Sequence, residues 1–186
     1  MHSCCAPCSS YCLIYLMRYF EITCFWYNPN ITDKEEYDRR KEELLRLTGI
    51  LNEEYDIICR DHPIKVISED FDPDVFLDTV RDKDLAGCPE GGDRCRMCFD
   101  MRLGRTFETA LQNGFDYFTT TLTISPHKDA RLINNIGNAL ATADVRWLPS
   151  DFKKRDGFRQ SVELSRKYGL YRQNYCGCVY SVRSDT

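Results

Sequence analysis

Met1-His2-Ser3-Cys4-Cys5-Ala6-Pro7-Cys8 opens the chain, and the rest is read outward from it. Three thiols fall within five positions, and Cys5 and Cys8 form a C-x-x-C pair. Leu13, Leu16, Met17 and Phe20 make an apolar stripe that predicts a helix over Cys8–Arg18. Pro7 stands just before it, where proline gives up no hydrogen bond that the helix needs. The thiols then lie at a helix N-terminus, where unpaired amides and the helix dipole lower thiol pKa and stabilise anionic sulfur.

Downstream, Ile22–Tyr27 reads as a buried strand ended by Asn28-Pro29-Asn30. Thr32 and Glu35 form a capping-box pattern for a charged helix with Tyr37, Leu44, Leu45 and Leu47 inward and Gly49 at its close. Ile64–Ile67 is a second strand, followed by a short helix after Asp72-Pro73-Asp74 that carries Phe76, Leu77 and Val80. A loop, Gly87–Gly92, leads into a helix over Arg94–Asn113 with Gly114 as its cap. Cys95 and Cys98 are three apart in its first turn and share a face. A Thr-rich strand over Tyr117–Leu122, a helix over Asp129–Ala143, a strand over Val145–Leu148 and a helix over Gln160–Tyr168 complete the pattern. Strands alternating with helices in this way predict one α/β domain over residues 1–186, Rossmann-like, with a mostly parallel sheet flanked by helices. Active sites in such folds gather where strand ends feed helix starts. The loops at Asn28, Ser125–Lys128 and Ser150–Lys153 belong to that edge.

The chain has 186 residues, 42% hydrophobic and 29% charged, as expected of one soluble domain. Its longest apolar run, Leu13–Phe20, is interrupted by Arg18 and is too short to span a membrane. The start lacks a basic region followed by an apolar stretch, so a cytoplasmic location is expected. Net charge is −4, divided between 12 Lys and Arg against 21 Asp and Glu in residues 1–101 and 13 against 8 in residues 102–186. The bulk charge disfavours non-specific coating of nucleic acid and leaves room for a phosphate-binding face in the C-terminal half.

Eleven cysteines are too many for a reducing compartment unless they serve metal or redox chemistry. Cys12, Cys24 and Cys59 stand alone in apolar surroundings and read as core. Eight are clustered: Cys4, Cys5, Cys8, Cys88, Cys95, Cys98, Cys176 and Cys178. Zinc and iron-sulfur clusters each take four thiolates, so the surplus implies a second metal or a dithiol that cycles. Cys176-Gly177-Cys178 fits either: a small-ring disulfide, strained and easily reduced, or two further ligands. Neither a Walker phosphate loop nor a dinucleotide glycine motif is present, and His2, His62 and His127 are too scattered to form a metal set.

His2-x-Cys4-Cys5-Ala6-Pro7-Cys8, Tyr27-Asn28-Pro29-Asn30, Gly92-x-Arg94-Cys95-x-x-Cys98, Thr121-Leu122-x-x-Ser125-Pro126-x-Lys128, Asp151-Phe152-Lys153 and Tyr171-Arg172-Gln173-x-Tyr175-Cys176-Gly177-Cys178-x-Tyr180-Ser181 resemble the QueH-type, cobalamin-independent epoxyqueuosine reductases over nearly the whole chain. One departure is visible: only Met1 and His2 precede Ser3, where the family usually has an apolar strand.

The resemblance implies reductive removal of the epoxide oxygen of epoxyqueuosine at the wobble position of tRNA, giving queuosine and water. It implies a 4Fe-4S cluster on Cys4, Cys5, Cys95 and Cys98 and a redox pair in Cys176 and Cys178. With Cys8 these are the candidate metal-facing thiols, and a second iron is the other use of the surplus. The Leu170–Ser181 segment is expected to close the site. Asp100, Asp151, His2, His127 or a tyrosine is the candidate proton donor, and the electron donor is unidentified. Nine Lys and Arg against three Asp and Glu over residues 146–183, interleaved with Tyr168, Tyr171 and Tyr175, then become candidates for phosphate contact and base stacking. Two rivals carry different expectations. A thiol-disulfide oxidoreductase would use Cys5-Ala6-Pro7-Cys8 as its dithiol, and a zinc-stabilised RNA-binding module would bind without turnover.

Overall fold

In a computed structural model, which describes residues 1–181, every strand pairing is parallel. Strand β1 (Thr23–Trp26) pairs with β2 (Lys65–Ser68), and β3 (Tyr117–Phe118) pairs with β4 (Arg146–Trp147). These two small sheets are joined by the opening residues. His2 bridges both Phe25 and Thr120, with His2 N–H on the Thr119 carbonyl at 2.8 Å and Ser3 N–H on the Phe25 carbonyl at 2.9 Å. The spatial order is therefore β2, β1, Met1–Ser3, β3, β4, or 3-2-1-4-5 by position in the chain. That is the order of a doubly wound sheet whose direction reverses beside the first strand. The expected Rossmann-like class is borne out, although the strands are two to four residues long and helices dominate.

Helices α1 (Ala6–Leu16), α2 (Lys34–Glu54) and α7 (Gly157–Lys167) cover one face. Their core takes Leu13, Leu16, Leu44, Leu47 and Leu51 together with Cys24 and Trp26 of β1. Cys12, Cys24 and Cys59 all lie in it, as expected. A short α3 (Asp56–Cys59) and α4 (Asp74–Asp82) follow α2 and β2. Helices α5 (Asp93–Gln112) and α6 (Ala130–Leu140) cover the other face, where Phe99, Leu103 and Ile133 meet Phe118 and Trp147. Gly137 lets α6 approach β4, because a β-carbon there would sit 2.2 Å from the Trp147 ring. No helix among the described residues is long and apolar enough to cross a membrane.

Several boundaries differ from expectation. Helix α1 begins two residues earlier, with Cys5 as its N-cap. Helix α2 is capped by Asp33, which accepts from Glu36 N–H at 2.8 Å, in place of Thr32. It runs through Gly49, and Leu45 is exposed. The Thr-rich strand stops at Phe118 and becomes a 3-10 turn at Thr121–Ile124, because Thr120 Oγ1 accepts from Leu122 N–H at 3.2 Å and pulls the chain out of extension.

Candidate functional site

The reversal point of the sheet lies between Met1–Ser3 and β3, so the loops leaving them diverge and open a crevice. One is the turn into α1, where Cys4 and the N-cap Cys5 come just before Cys8 in the first helical turn. Its three sulfurs lie within 4.8 Å of one another, with Cys4 and Cys5 at 3.9 Å. Thr121 steadies Cys4 twice: its Oγ1 accepts from Cys4 N–H at 3.2 Å and donates to Cys4 Sγ at 3.3 Å. The Cys5 and Cys8 thiols donate to Cys4 and hold it well below the usual thiol range. The same bonds raise the donors, pushing Cys5 up to about 12 and Cys8 well above its ordinary value. Three sulfurs thus present one thiolate between them. A raised Cys5 is the reverse of what a thioredoxin-like attacking thiol requires.

The second wall is the start of α5. Gly92 is its N-cap, so Cys95 is the third helical residue and Cys98 follows one turn on. Gly91 N–H donates to Cys95 Sγ at 3.2 Å. Arg94 Nη1 donates to the carbonyls of Leu85, Ala86 and Cys88 and so shapes the loop ahead of the helix. Cys95 and Cys4 pack against the same apolar group beside Phe99 and Leu122. Cys98 is buried, which pushes its thiol up, and it packs with Cys176 and Cys178 beside Phe76 and Met97. Cys88, counted among the clustered thiols in the sequence, does not line the cavity described below.

The third wall is the C-terminal segment, fastened to α2 and the Asn28–Thr32 loop. Asn30 Nδ2 donates to the Cys176 carbonyl at 3.1 Å, Thr32 N–H to the Gly177 carbonyl at 3.3 Å, and Arg40 Nη2 to the Tyr175 carbonyl at 3.3 Å. Gly177 has φ +97°, and a β-carbon there would sit 2.7 Å from Ile31 Cγ1. A hydrogen bond from the Cys178 thiol pulls Cys176 down to about 5 and raises Cys178 far above its ordinary value. Cys176 is therefore the thiolate of the pair and Cys178 its proton-bearing partner.

These walls enclose a cavity of about 270 Å³ lined by Cys4, Cys8 and Cys176. Its cations are Arg40, Arg102, Lys128 and Arg172, with Glu90 as the acidic group and Phe158 and Tyr175 as the aromatic ones. Burial works to lower the Lys128 ammonium, but the facing Cys4, Cys8 and Cys176 outweigh it and raise it. The cavity is thus a thiol-lined, cationic recess.

Three of the candidate proton donors do not line this cavity, whereas His127 does. His2 is fully buried, and burial followed by the Arg102 charge lowers it to about 3, which makes it a neutral structural residue. Asp100 faces a separate depression with Lys83 and Arg96. Asp151 is paired with Lys153 and Lys154. Of the three tyrosines expected to meet a base, Tyr168 is in the core and Tyr171 lies under Arg39 at 3.5 Å with its hydroxyl donating to Glu36. Tyr175 lines the cavity. Arg159 is tied to Asp156 and Glu163 at the surface, and Arg183 lies outside the described residues.

Arg102 was missed in the sequence. It sits four residues after Cys98 on the same helical face, a spacing that marks it once Cys98 is taken as a site residue.

The sequence matches a known family along nearly its whole length. The family model described as epoxyqueuosine reductase QueH matches residues 1–184. An epoxyqueuosine reductase QueH of Streptococcus pyogenes serotype M1 is 44% identical over 184 residues, 98% of this chain and 69% of that protein. Those of Staphylococcus epidermidis and Thermotoga maritima are 41% and 35% identical, covering 97% and 98% of this chain and 74% and 88% of theirs. With a match from the Cys4–Cys8 loop to the Cys176–Cys178 segment, the chain belongs to the epoxyqueuosine reductase QueH family.

Proposed function

We propose that this chain reduces epoxyqueuosine in the wobble position of tRNA to queuosine, as its relatives' names describe. The observation that carries the reading is the meeting of Cys4, Cys8 and Cys176 with four cations in one cavity of a chain belonging to that family.

The donor set suits an iron-sulfur group. Its ligands are soft, two of the thiol sets sit at the N-termini of α1 and α5, and a buried guanidinium lies beside them. Cys4, Cys5, Cys95 and Cys98 would hold a 4Fe-4S cluster, with Cys8 the remaining thiol of the first loop. When bound, such a group supplies electrons singly and an iron able to polarise the epoxide oxygen.

The chain's own residues account for the rest. Cys176 and Cys178 act as the two-electron store: the Cys176 thiolate and the Cys178 thiol become a disulfide, giving up two electrons and one proton, as both C–O bonds of the epoxide break. The oxygen leaves as water with that proton and a second one from solvent, and the carbon–carbon double bond forms. A two-electron reductant then restores the dithiol. A second iron on this pair is the competing use. Leu170–Ser181 closes the site over the substrate, with Tyr175 positioned to stack on a base turned out of the anticodon loop. Arg172 and Lys128 face the phosphates. The reading places the protein in the cytoplasm with its tRNA.

The test is anaerobic reconstitution with iron and sulfide, followed by incubation with epoxyqueuosine-bearing tRNA and a chemical reductant. Nucleoside analysis should find queuosine, and tRNA affinity should fall as salt rises. Iron uptake with tRNA binding but no queuosine would refute the activity. Zinc in place of iron would favour the binding-module rival.

A further inference from the structure

Among the described residues three arginines are almost wholly buried, and their partners differ in kind. Arg40 is paired with Glu36 at 2.6 Å. Arg94 is spread over three backbone carbonyls and lies 4.8 Å from the Tyr180 ring. Arg102, 3% exposed, has no carboxylate within ion-pair distance among the described residues. Its Nε donates to His2 Nε2 at 3.2 Å, its Nη2 to Asn28 Oδ1 at 2.5 Å and its Nη1 to Cys98 Sγ at 3.9 Å. Two of these partners are neutral groups that orient the guanidinium. The third direction leads to sulfur.

A guanidinium out of water needs an opposite charge, and neutral hydrogen bonds offset only part of its desolvation. Glu90, the carboxylate of the cavity, makes no ion pair with Arg102, so the anions left to it are the sulfurs: Arg102 lines the cavity with Cys4 and Cys176 and donates to Cys98 Sγ. Two arms of its fork are held against the sheet by His2 and Asn28, which leaves Arg102 poorly placed to follow a mobile phosphate. Arg172, exposed at the same cavity and held only by a bond to Ser165 Oγ at 3.2 Å, is better placed to do so.

We propose that Arg102 is the built-in counter-charge of the thiolate-held iron-sulfur group, fixed by His2 and Asn28 so that its Nη1 donates to the Cys98 sulfur and raises the group's reduction potential. This rests on the functional reading above. A cation and an N–H···S bond favour the reduced, more negative state, because the added electron lies closer to positive charge. Arg102 is thus a positioning residue that makes the first electron easier to accept.

The experiment is a spectroscopically monitored redox titration of reconstituted wild type, Arg102→Gln, Arg102→Lys and Asn28→Asp, with iron and sulfide counted per chain. Arg102→Gln should lower the reduced-to-oxidised ratio at a fixed ambient potential roughly tenfold, and Arg102→Lys should lower it less. Asn28→Asp keeps the arginine but pairs it with a carboxylate, so it should shift the ratio the same way and remains informative where Arg102→Gln does not fold. Loaded variants that share the wild-type potential would overturn the inference and leave the reductase reading standing. So would a change confined to the KM for tRNA, which would make Arg102 a phosphate contact. A wild-type chain that takes up no iron and sulfide would overturn the reading itself.

Discussion

His2 Nδ1 lies 2.8 Å from Thr120 Oγ1, and the same two residues form the β-bridge that joins the halves of the sheet. One side chain therefore helps close the sheet and turn the chain toward the site. Because Arg102 Nε donates to His2 Nε2, the ring proton belongs on Nδ1 and points to Thr120. A second proton, on Nε2, would find the Tyr27 carbonyl at 3.2 Å, but the dry interior and the fixed Arg102 cation outweigh that bond.

That placement makes the fold acid-sensitive through His2. Folded His2 titrates at about 3 against an ordinary 6.5, so below 6.5 the unfolded chain binds a proton that the folded chain does not. Stability therefore rises with pH between about 3 and 6.5, and this contribution falls by about 2 kcal/mol from pH 7.5 to pH 5. Denaturant unfolding of wild type and His2→Gln at both pH values checks it. The variant is less stable throughout, and the gap narrows at pH 5. A gap independent of pH would show that His2 is not held neutral.

The alternation of helix and strand was readable because Ile22–Tyr27 is a short apolar run that a covered sheet buries, while Ile64–Ile67, an edge strand half-buried at Val66 and Ile67, is marked by its β-branched residues. Gly49 misled as a helix end because Leu44, Leu47 and Leu51 continue the buried stripe past it. That burial exceeds the roughly 1 kcal/mol that glycine costs inside a helix. Thr121–Ile124 misled because threonine favours strands until its hydroxyl finds a backbone amide. At the site, the thiols were legible from their spacing. Arg102 was not, since a sequence does not separate a buried arginine from a solvated one until its partners are known.

Gly177 is the one residue between the two terminal thiols, and its backbone explains why. A side chain at φ +97° is strained, and its β-carbon would meet Ile31 at 2.7 Å and Arg40 Nη1 at 3.1 Å. Gly177→Ala should cost about 1–3 kcal/mol locally, loosen Cys176 from Asn30 and Arg40, and lower kcat at least roughly tenfold while iron content holds. Gly49→Ala has open space around it and lies inside α2, so it should leave kcat unchanged and be neutral or stabilising by up to about 1 kcal/mol. Equal effects of the two substitutions on kcat would mean that the geometry of the Cys176–Cys178 turn is irrelevant.

The division of labour among the thiols is tested by pairing Cys95→Ser with Cys178→Ser. Cys95 sits in the first turn of α5, with a backbone amide already aimed at its sulfur, as suits a ligand of an anionic cluster. Cys178 is the protonated member of a pair whose other sulfur lines the cavity. Cys95→Ser should therefore lose iron, sulfide and the visible absorption together, whereas Cys178→Ser should keep all three and lose turnover, because a lone Cys176 cannot close a disulfide. The two losses differ in kind: single-turnover reduction with excess chemical reductant should partly recover in Cys178→Ser and stay absent in Cys95→Ser. If Cys178→Ser sheds its iron, the residue is a ligand, and the Cys176–Cys178 pair binds metal instead of storing electrons.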